Sequence, residues 1–562
     1  MQACRLCSWR AAVRARSGSI VRDAASFVGP LRNRKFLIYW LAGLSTNFGW
    51  QVQLVGASWL MASLHGTPEQ IALVQTAVAL PVMLLSVPGG AISDVIGQRS
   101  MVLWSQALLM LVSILLAGCA YFETLDPLLL LVFTFLIGSG RALYYPGWQS
   151  VVFELVSSRE MTAAIAVNAS GVNIARSLGP ALGGAIVATV GTFAAFVVNA
   201  LSNLSVILVA ARWPKTQPVH ELPPEPFASA ILAGIRYVAL SPVLVTITFR
   251  STIFNIAAIS IIAMMPLIAR DQLGGGAQTY GFLLGSFGAG AVTGALCTSA
   301  VRRRMSLEIF VVLGFLGFAV AAMVLAYSAN TGLSVLVSAV AGVCWIFVQV
   351  SLNTAIQLSS PRWVLSRSIG IYQTFVFGGN AIGSLIWGIV AGESGTPAAL
   401  VASGGMLVAG AASGLFFKLR ELEVGGLAPN AQWRAPEPAL DLVLSSGPIV
   451  TSIEYRILEE DAPRFLEAMT AKRLNRIRDG ASRWTLSRDI QDPTVWIERF
   501  RIATWAETQR HHSRRTVATA KLNDFIRSLH QGPDLPKVRY ELVRHPGAGA
   551  QTSPQMLPRI DQ

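Results

Sequence analysis

Charge is scarce in this chain. Asp, Glu, Lys and Arg make up 13% of its 562 residues, beside five cysteines and six histidines. Soluble globular domains carry about 25% charged residues, so most of this surface is not built to meet water. The low cysteine count excludes a disulfide scaffold. Cys119, Cys297 and Cys344 fall in or beside apolar segments, and Cys4-Arg5-Leu6-Cys7 is one pair without the second pair a tetrahedral zinc site requires. No metal and no cofactor are expected. Residues 1–28 are rich in arginine but have no apolar core of signal-peptide type, and read as a basic tail.

Apolar segments take the place of charge. Hydrophobic residues account for 53% of the chain and the mean hydropathy is +0.53, which marks a polytopic membrane protein. A crossing helix needs about 20 mostly apolar residues. Twelve such spans are predicted, near 36–63, 69–93, 100–121, 127–149, 163–190, 192–212, 242–268, 279–300, 306–328, 331–356, 367–391 and 396–417. The formal charge of +14 would suit nucleic acid if it were clustered, but it is dealt out by loop. Arg32, Lys35, Arg99, Arg212, Arg302, Arg303, Arg304 and Lys418 fall on one side, whereas Glu69, Glu123, Asp126 and Glu393 fall on the other with Arg270. The positive-inside rule then predicts both termini in the cytoplasm. Between spans six and seven, Trp213 to Phe227 holds Pro214, Pro218, Pro223, Pro224 and Pro226 and reads as a linker between two sets of six.

The two sets are copies. Gly179-Pro180-Ala181-Leu182-Gly183-Gly184 returns 200 positions later as Gly379-Asn380-Ala381-Ile382-Gly383-Ser384. The end of span two, Gly90 through Asp94, Gly97 and Arg99, returns 204 positions later from Gly294 to Arg303. Such a repeat is the mark of a transporter built from two membrane-embedded halves. Small residues let helices approach closely in lipid, so the glycine-rich spans two, five, eight and eleven are expected to form the seam.

These residues carry a resemblance to the major facilitator superfamily, over about residues 30–420. Gly90, Asp94, Gly97 and Arg99 resemble its loop signature after span two, although Val95 and Gln98 stand where basic residues are usual. Gly179, Pro180, Gly183 and Gly184 resemble the span-five signature of its proton-coupled exporters. The stretch Phe153–Asn168 running into Asn173–Pro180 is similar to the branch that includes an enterobactin exporter. The resemblance implies a bacterial inner-membrane carrier that exports a small amphipathic or anionic, siderophore-like metabolite by proton antiport. A broad multidrug efflux pump is the alternative.

Charge inside the spans points toward a substrate site. An intramembrane arginine costs roughly 2.5–3.5 kcal/mol on insertion scales and is functional by default. Arg141, Arg176 and Arg250 qualify. Arg141 either holds the cytoplasmic gate with Asp94 or simply pairs with Asp94 or Glu154 as a structural residue. Arg250 either meets an acid or faces a wet cavity. Arg176 shares one helical face with Gly179, Pro180 and Gly183, and its repeat partner is Val376. Asn47, Trp50 and Gln51 on span one, and Gln349, Asn353 and Gln357 on span ten, form polar stripes that either line the cavity or tie helices together. Arg176, Arg250, Asn47, Trp50, Gln51, Gln349 and Asn353 are the candidate substrate residues, and no residue identifies the proton site.

After about residue 445 the pattern changes to that of a soluble α+β domain. Strands are predicted at 449–457, 482–489, 494–502 and 537–543, with helices at 461–478 and 505–529, the β-α-β-β-α-β order of a ferredoxin-like unit. Trp484, Val495–Phe500 and Trp505 followed by His511-His512 are similar to antibiotic-biosynthesis-monooxygenase-type α+β barrels. That likeness raises a competing reading, a membrane-anchored cofactor-free monooxygenase with a histidine base. The other reading of the histidines is a pair on a solvated helix face, in a domain that dimerises or regulates. The expected organisation is a tail (1–34), a first half (35–213), a linker (214–241), a second half (242–420), a linker (421–444), the α+β domain (445–545) and a second tail (546–562). The expected partners are a small molecule, lipid, protons and a second copy of the chain, and not nucleic acid. No enzymatic activity is expected.

Overall fold

The computed structural model describes residues 29–150, 155–156, 160–212, 227–361, 363–419, 439–440, 442–514, 516–532 and 534–544. The chain divides into two compact units. The first comprises α1 (Arg34–Ser63), α2 (Pro68–Ile96), α3 (Gln98–Tyr121), α4 (Pro127–Ser150), α5 (Met161–Val190) and α6 (Thr192–Ala211), then most of a second set of six. That second set is α8 (Pro242–Leu267), α9 (Ala277–Arg302), α10 (Leu307–Tyr327), α11 (Thr331–Leu358), α12 (Leu365–Ser394) and α13 (Thr396–Ala412). Among the described residues, ten helices are long and apolar enough to cross a membrane. The other two long helices, α1 and α5, span 30 residues each and hold the polar stripe of Asn47 and Gln51 and the charge of Arg176.

Local signals set the helix ends. Thr67 and Gln70 form a reciprocal capping box at the start of α2, with Pro68 at the first turn. Gly191 (φ +92°) separates α5 from α6, and Gly395 (φ +87°) separates α12 from α13. Both turns need a left-handed conformation that favours glycine, and they stand at equivalent places in the two copies.

Glycines also set how the helices meet. α5 lies on α1, where a Cβ at Gly179 would come 2.6 Å from Gln51 Cβ and one at Gly183 3.1 Å from Val52 Cα. The second copy repeats this contact. α12 lies on α8, where a Cβ at Gly379 would come 3.1 Å from Thr252 O and one at Gly383 2.2 Å from Ile256 O. Across the halves, α5 meets α9 with Gly184 and Gly281 backbone to backbone, a Cβ on Gly184 falling 2.7 Å from Gly281 Cα. The mirror contact joins α12 to α2: Gly388 approaches Ala72, and Thr76 Oγ1 donates to Ala381 O at 3.1 Å.

The second unit contains α7 (Phe227–Ala239), the first turn of α8, the segment 355–369 and the α+β domain. The expected linker 214–241 therefore includes a helix. The domain consists of β1 (Ile449–Arg456), α14 (Ala462–Arg478), β2 (Ser482–Arg488), β3 (Val495–Ile502), α15 (Trp505–Ser513), α16 (Val517–Ser528) and β4 (Lys537–Leu542). The antiparallel sheet has the ferredoxin-like order β2-β3-β1-β4, with Tyr455 opposite Trp496. The helices expected over 505–529 are α15 and α16, and Thr516, which accepts from Thr519 N at 3.3 Å, caps the second start. Phe465, Met469, Trp496, Phe500 and Ile526 fill the space between sheet and helices.

Glu498 on β3 is fully buried in that core. It meets Arg476 at 3.1 Å, Lys472 at 3.4 Å, the Tyr455 hydroxyl at 3.0 Å and Trp484 Nε1 at 3.1 Å. Burial works against its charge, yet Arg476 and Lys472 hold the carboxyl down at about 2.

Two outcomes are expected. Gly184→Val should overpack α5 against α9 and lower the thermal stability of the purified protein by about 1–3 kcal/mol. Gly405→Ala, where nothing stands within 4 Å, should not. Glu498→Gln should leave Arg476 and Lys472 buried without their counter-charge and cost the α+β domain about 3–5 kcal/mol, read by proteolysis of the full chain. The native carboxyl sits below its ordinary 4.5, so its stabilisation is complete above pH 4.5 and fades as pH falls toward about 2. The Gln variant should lack that acid dependence.

Candidate functional site

Four helices of the first unit bring the predicted polar residues together. Asn47 Nδ2 donates to Gly43 O at 2.7 Å, which turns its Oδ1 toward α4, and that oxygen accepts the Arg141 guanidinium. Trp50, one turn along α1, lies under the same guanidinium at 5.1 Å. Gln51 Nε2 points to the carbonyl of Arg176 at 3.5 Å. The Arg176 guanidinium stands 5.4 Å from the ring of Trp345, on α11 in the other half. This cross-half position follows from the glycine seam. A Cβ at Gly288 on α9 would lie 2.6 Å from Arg176 O, so α5 can carry its arginine to the second half only because α9 offers no side chain there.

Neither Arg141 nor Arg176 has a carboxylate within ion-pair distance among the described residues. Arg176 keeps an exposed side chain and Arg141 is half-buried. Each guanidinium therefore rests on an indole face with hydrogen-bonding capacity to spare, an arrangement suited to a flat or carboxylated anion.

Arg250 is different. Its side chain is wholly buried and forms an ion pair with Glu308 of α10, whose second oxygen accepts Leu419 N at 2.7 Å. The charge is neutralised inside the second half, which removes Arg250 from the candidate substrate residues. Glu308 lies 58 positions away in sequence, and nothing in the local pattern announced it. Gln349 is also spoken for, because its amide exchanges hydrogen bonds of 3.3 and 3.0 Å with Asn255 of α8. Asn353 lies one turn further along α11. Trp345 precedes Gln349 by four residues and heads the stripe Trp345, Gln349, Asn353. Its helical spacing could have singled it out.

The signature residues have structural places. Gly97 (φ +85°) makes the turn between α2 and α3. Arg99 then donates to the carbonyls of Ala210 and Ala211 at 3.0 and 2.8 Å, closing the end of α6 where acceptors would otherwise be unsatisfied. Gly179, Pro180, Gly183 and Gly184 supply the contacts of α5 with α1 and α9. Gly90 and Asp94 lie within α2, but their surroundings, like Glu154, are outside the described residues.

In the α+β domain the histidines are buried rather than solvated. His511 Nε2 is 3.2 Å from Arg476 and its Nδ1 3.3 Å from Asp479 O, while His512 Nε2 is 3.2 Å from the Tyr540 hydroxyl. The expectation of a solvated pair fails because α15 turns both toward the sheet.

Comparison with known proteins agrees with this architecture. A sequence model described as transmembrane secretion effector, of the major facilitator class, matches residues 25–546, through the α+β domain. The multidrug efflux pump Tap of Mycolicibacterium fortuitum is 23% identical over 411 residues, 70% of this chain and 98% of that protein. The Tap pump of Mycobacterium tuberculosis is 24% identical over 418 residues, 72% and 98%. The staphyloferrin A transporter of Staphylococcus aureus is 25% identical over 156 residues, 28% of this chain and 39% of its own. Among solved structures, an inward-facing bacterial homologue of the lysosomal transporter Spinster superposes with a TM-score of 0.57 at 14% identity, covering 69% of this chain and 97% of that one. The nucleoside transporter NupG gives 0.58 at 12% identity, covering 68% and 100%. The chain belongs to the transmembrane secretion effector family of major facilitator transporters.

Proposed function

We propose that the protein is an exporter that carries a small amphipathic anion out of the bacterial cytoplasm in exchange for protons. It lies in the inner membrane with both termini inside. The observation that carries the reading is the pair of arginines with no carboxylate within ion-pair distance among the described residues, Arg141 over Trp50 and Arg176 over Trp345. Such charge within a span is retained at a cost that only function offsets. Asn47 fixes Arg141, and Arg176 with Trp345 gives the substrate a contact in each half. The partial likeness to a staphyloferrin A transporter supports an anionic metabolite.

The Tap pumps, matched over nearly their whole length, support a second reading, broad drug efflux. The stacked indoles would serve that role by taking aromatic rings. We read the α+β domain as non-catalytic, since His511 and His512 are engaged within its fold.

The test is efflux of a matched anionic and neutral amphiphile from vesicles, normalised to carrier content and driven by a proton gradient. Arg176→Ala should abolish export of the anion and spare the neutral compound, and Arg176→Lys should keep part of it as a point charge without the bidentate fork. Equal losses for both compounds would remove the anion site, and export indifferent to collapse of the gradient would remove antiport. Glu308→Gln supplies the contrast. It strands the buried Arg250 charge, should cost about 3–5 kcal/mol and lower abundance, and should leave transport per molecule nearly intact.

A further inference from the structure

The α+β domain shares its unit with two segments that lead into transmembrane helices, α7 before α8 and residues 363–369 at the start of α12. Tyr237 of α7 and Trp363 meet edge to face at 5.4 Å. Each ring carries an arginine of the domain. Arg478 lies 4.8 Å from the Tyr237 ring, and Arg514 lies 4.3 Å from that of Trp363. The same arginines are held from behind: Arg514 donates to Asp479 O at 3.0 Å and lies 3.7 Å from Glu507, while Arg478 is 3.8 Å from the Asp479 carboxylate. Gly480 takes a left-handed conformation (φ +117°) and stands against both Arg236 of α7 and Arg514, each 3.4 Å from where a Cβ would lie. α7 is also pressed on the start of α12, where a Cβ at Gly234 would come 2.9 Å from Arg367 Cβ.

The joint is close but incompletely satisfied. Arg236 Nε and Trp363 Nε1 are buried without a hydrogen-bond partner among the described residues. Arg236 also faces the like charge of Arg514. Asp479 is buried, and burial pushes its carboxyl up to about 6 against the pull of Arg478, Arg514, Arg476 and Arg236. A contact serving only to hold would have these groups paired, because unpaired buried polar groups cost free energy that opening returns.

We propose that the α+β domain is a releasable brake on transport: docked through Arg478 and Arg514 on Tyr237 and Trp363, it ties α7 to the start of α12, and undocking frees α8 and α12 to move. This rests on the transport reading but not on the anion site. Spans that change their mutual arrangement in the transport cycle cannot do so freely while the segments leading into them are fixed to one body.

The test uses the full-length protein in lipid, with two readouts. Hydrogen exchange of residues 227–239 and 363–369 reports docking and needs no substrate, so loss of the joint and failure of the transport reading are read separately. Initial transport rate per carrier reports the brake. The Arg478→Ala/Arg514→Ala double variant should exchange faster in both segments and transport about fivefold faster, the lower end of usual coupling between sites. Trp363→Leu removes the stacking surface while leaving the domain's own residues intact, and should act in the same direction should the double variant fold poorly. Unchanged exchange would overturn the joint. Faster exchange with an unchanged or lower transport rate would overturn the brake.

Discussion

Backbone approach at glycine is the contact on which the membrane unit rests. In lipid there is no hydrophobic drive between helices, so association depends on close packing and shared hydrogen bonds. Here the same device is used four times in two mirrored pairs: α5 on α1 and α12 on α8 within the halves, then α5 on α9 and α12 on α2 between them. Arg176 is where it is because Gly288 leaves room for its backbone. The candidate site is thus a consequence of the seam, and a side chain added there would displace the arginine as well as the helix.

Three arginines that look equivalent in sequence meet three fates. Arg250 is neutralised by Glu308 and locks one half. Arg141 is steadied by Asn47 and Trp50 within the other. Arg176 reaches across to Trp345 with no acid beside it among the described residues. Burying a charge is tolerated when it is paired, and among the described residues only Arg250 of the three has a carboxylate partner.

Much of this was legible beforehand, for reasons that also explain what was not. Helix lengths, the two-half repeat and the β-α-β-β-α-β order follow from local periodicity and turn residues, which a single sequence displays directly. The exact break between α15 and α16 depends on a threonine cap, and the spans of the mirrored seam were legible while Gly388 itself was not, since it lies outside the repeated signature. Partners distant in sequence, such as Glu308 for Arg250 and Asn255 for Gln349, leave no local trace. The burial of His511 and His512 was misread because neighbouring arginines suggested a wet face, whereas Arg476 and Arg514 are themselves turned inward. Trp345 carried a signal, its step of four from Gln349, that polarity alone did not reveal.

The central claim, that Arg176 is kept for an anion, is tested most directly by binding to the purified carrier in nanodiscs. An amphipathic carboxylate titrated against the protein should displace the guanidinium from the Trp345 ring and produce a saturable fluorescence change. That change should vanish in Arg176→Ala and in Trp345→Phe, and should not be given by the neutral amide of the same compound. An equal response to the amide, or one that survives Arg176→Ala, would contradict the account.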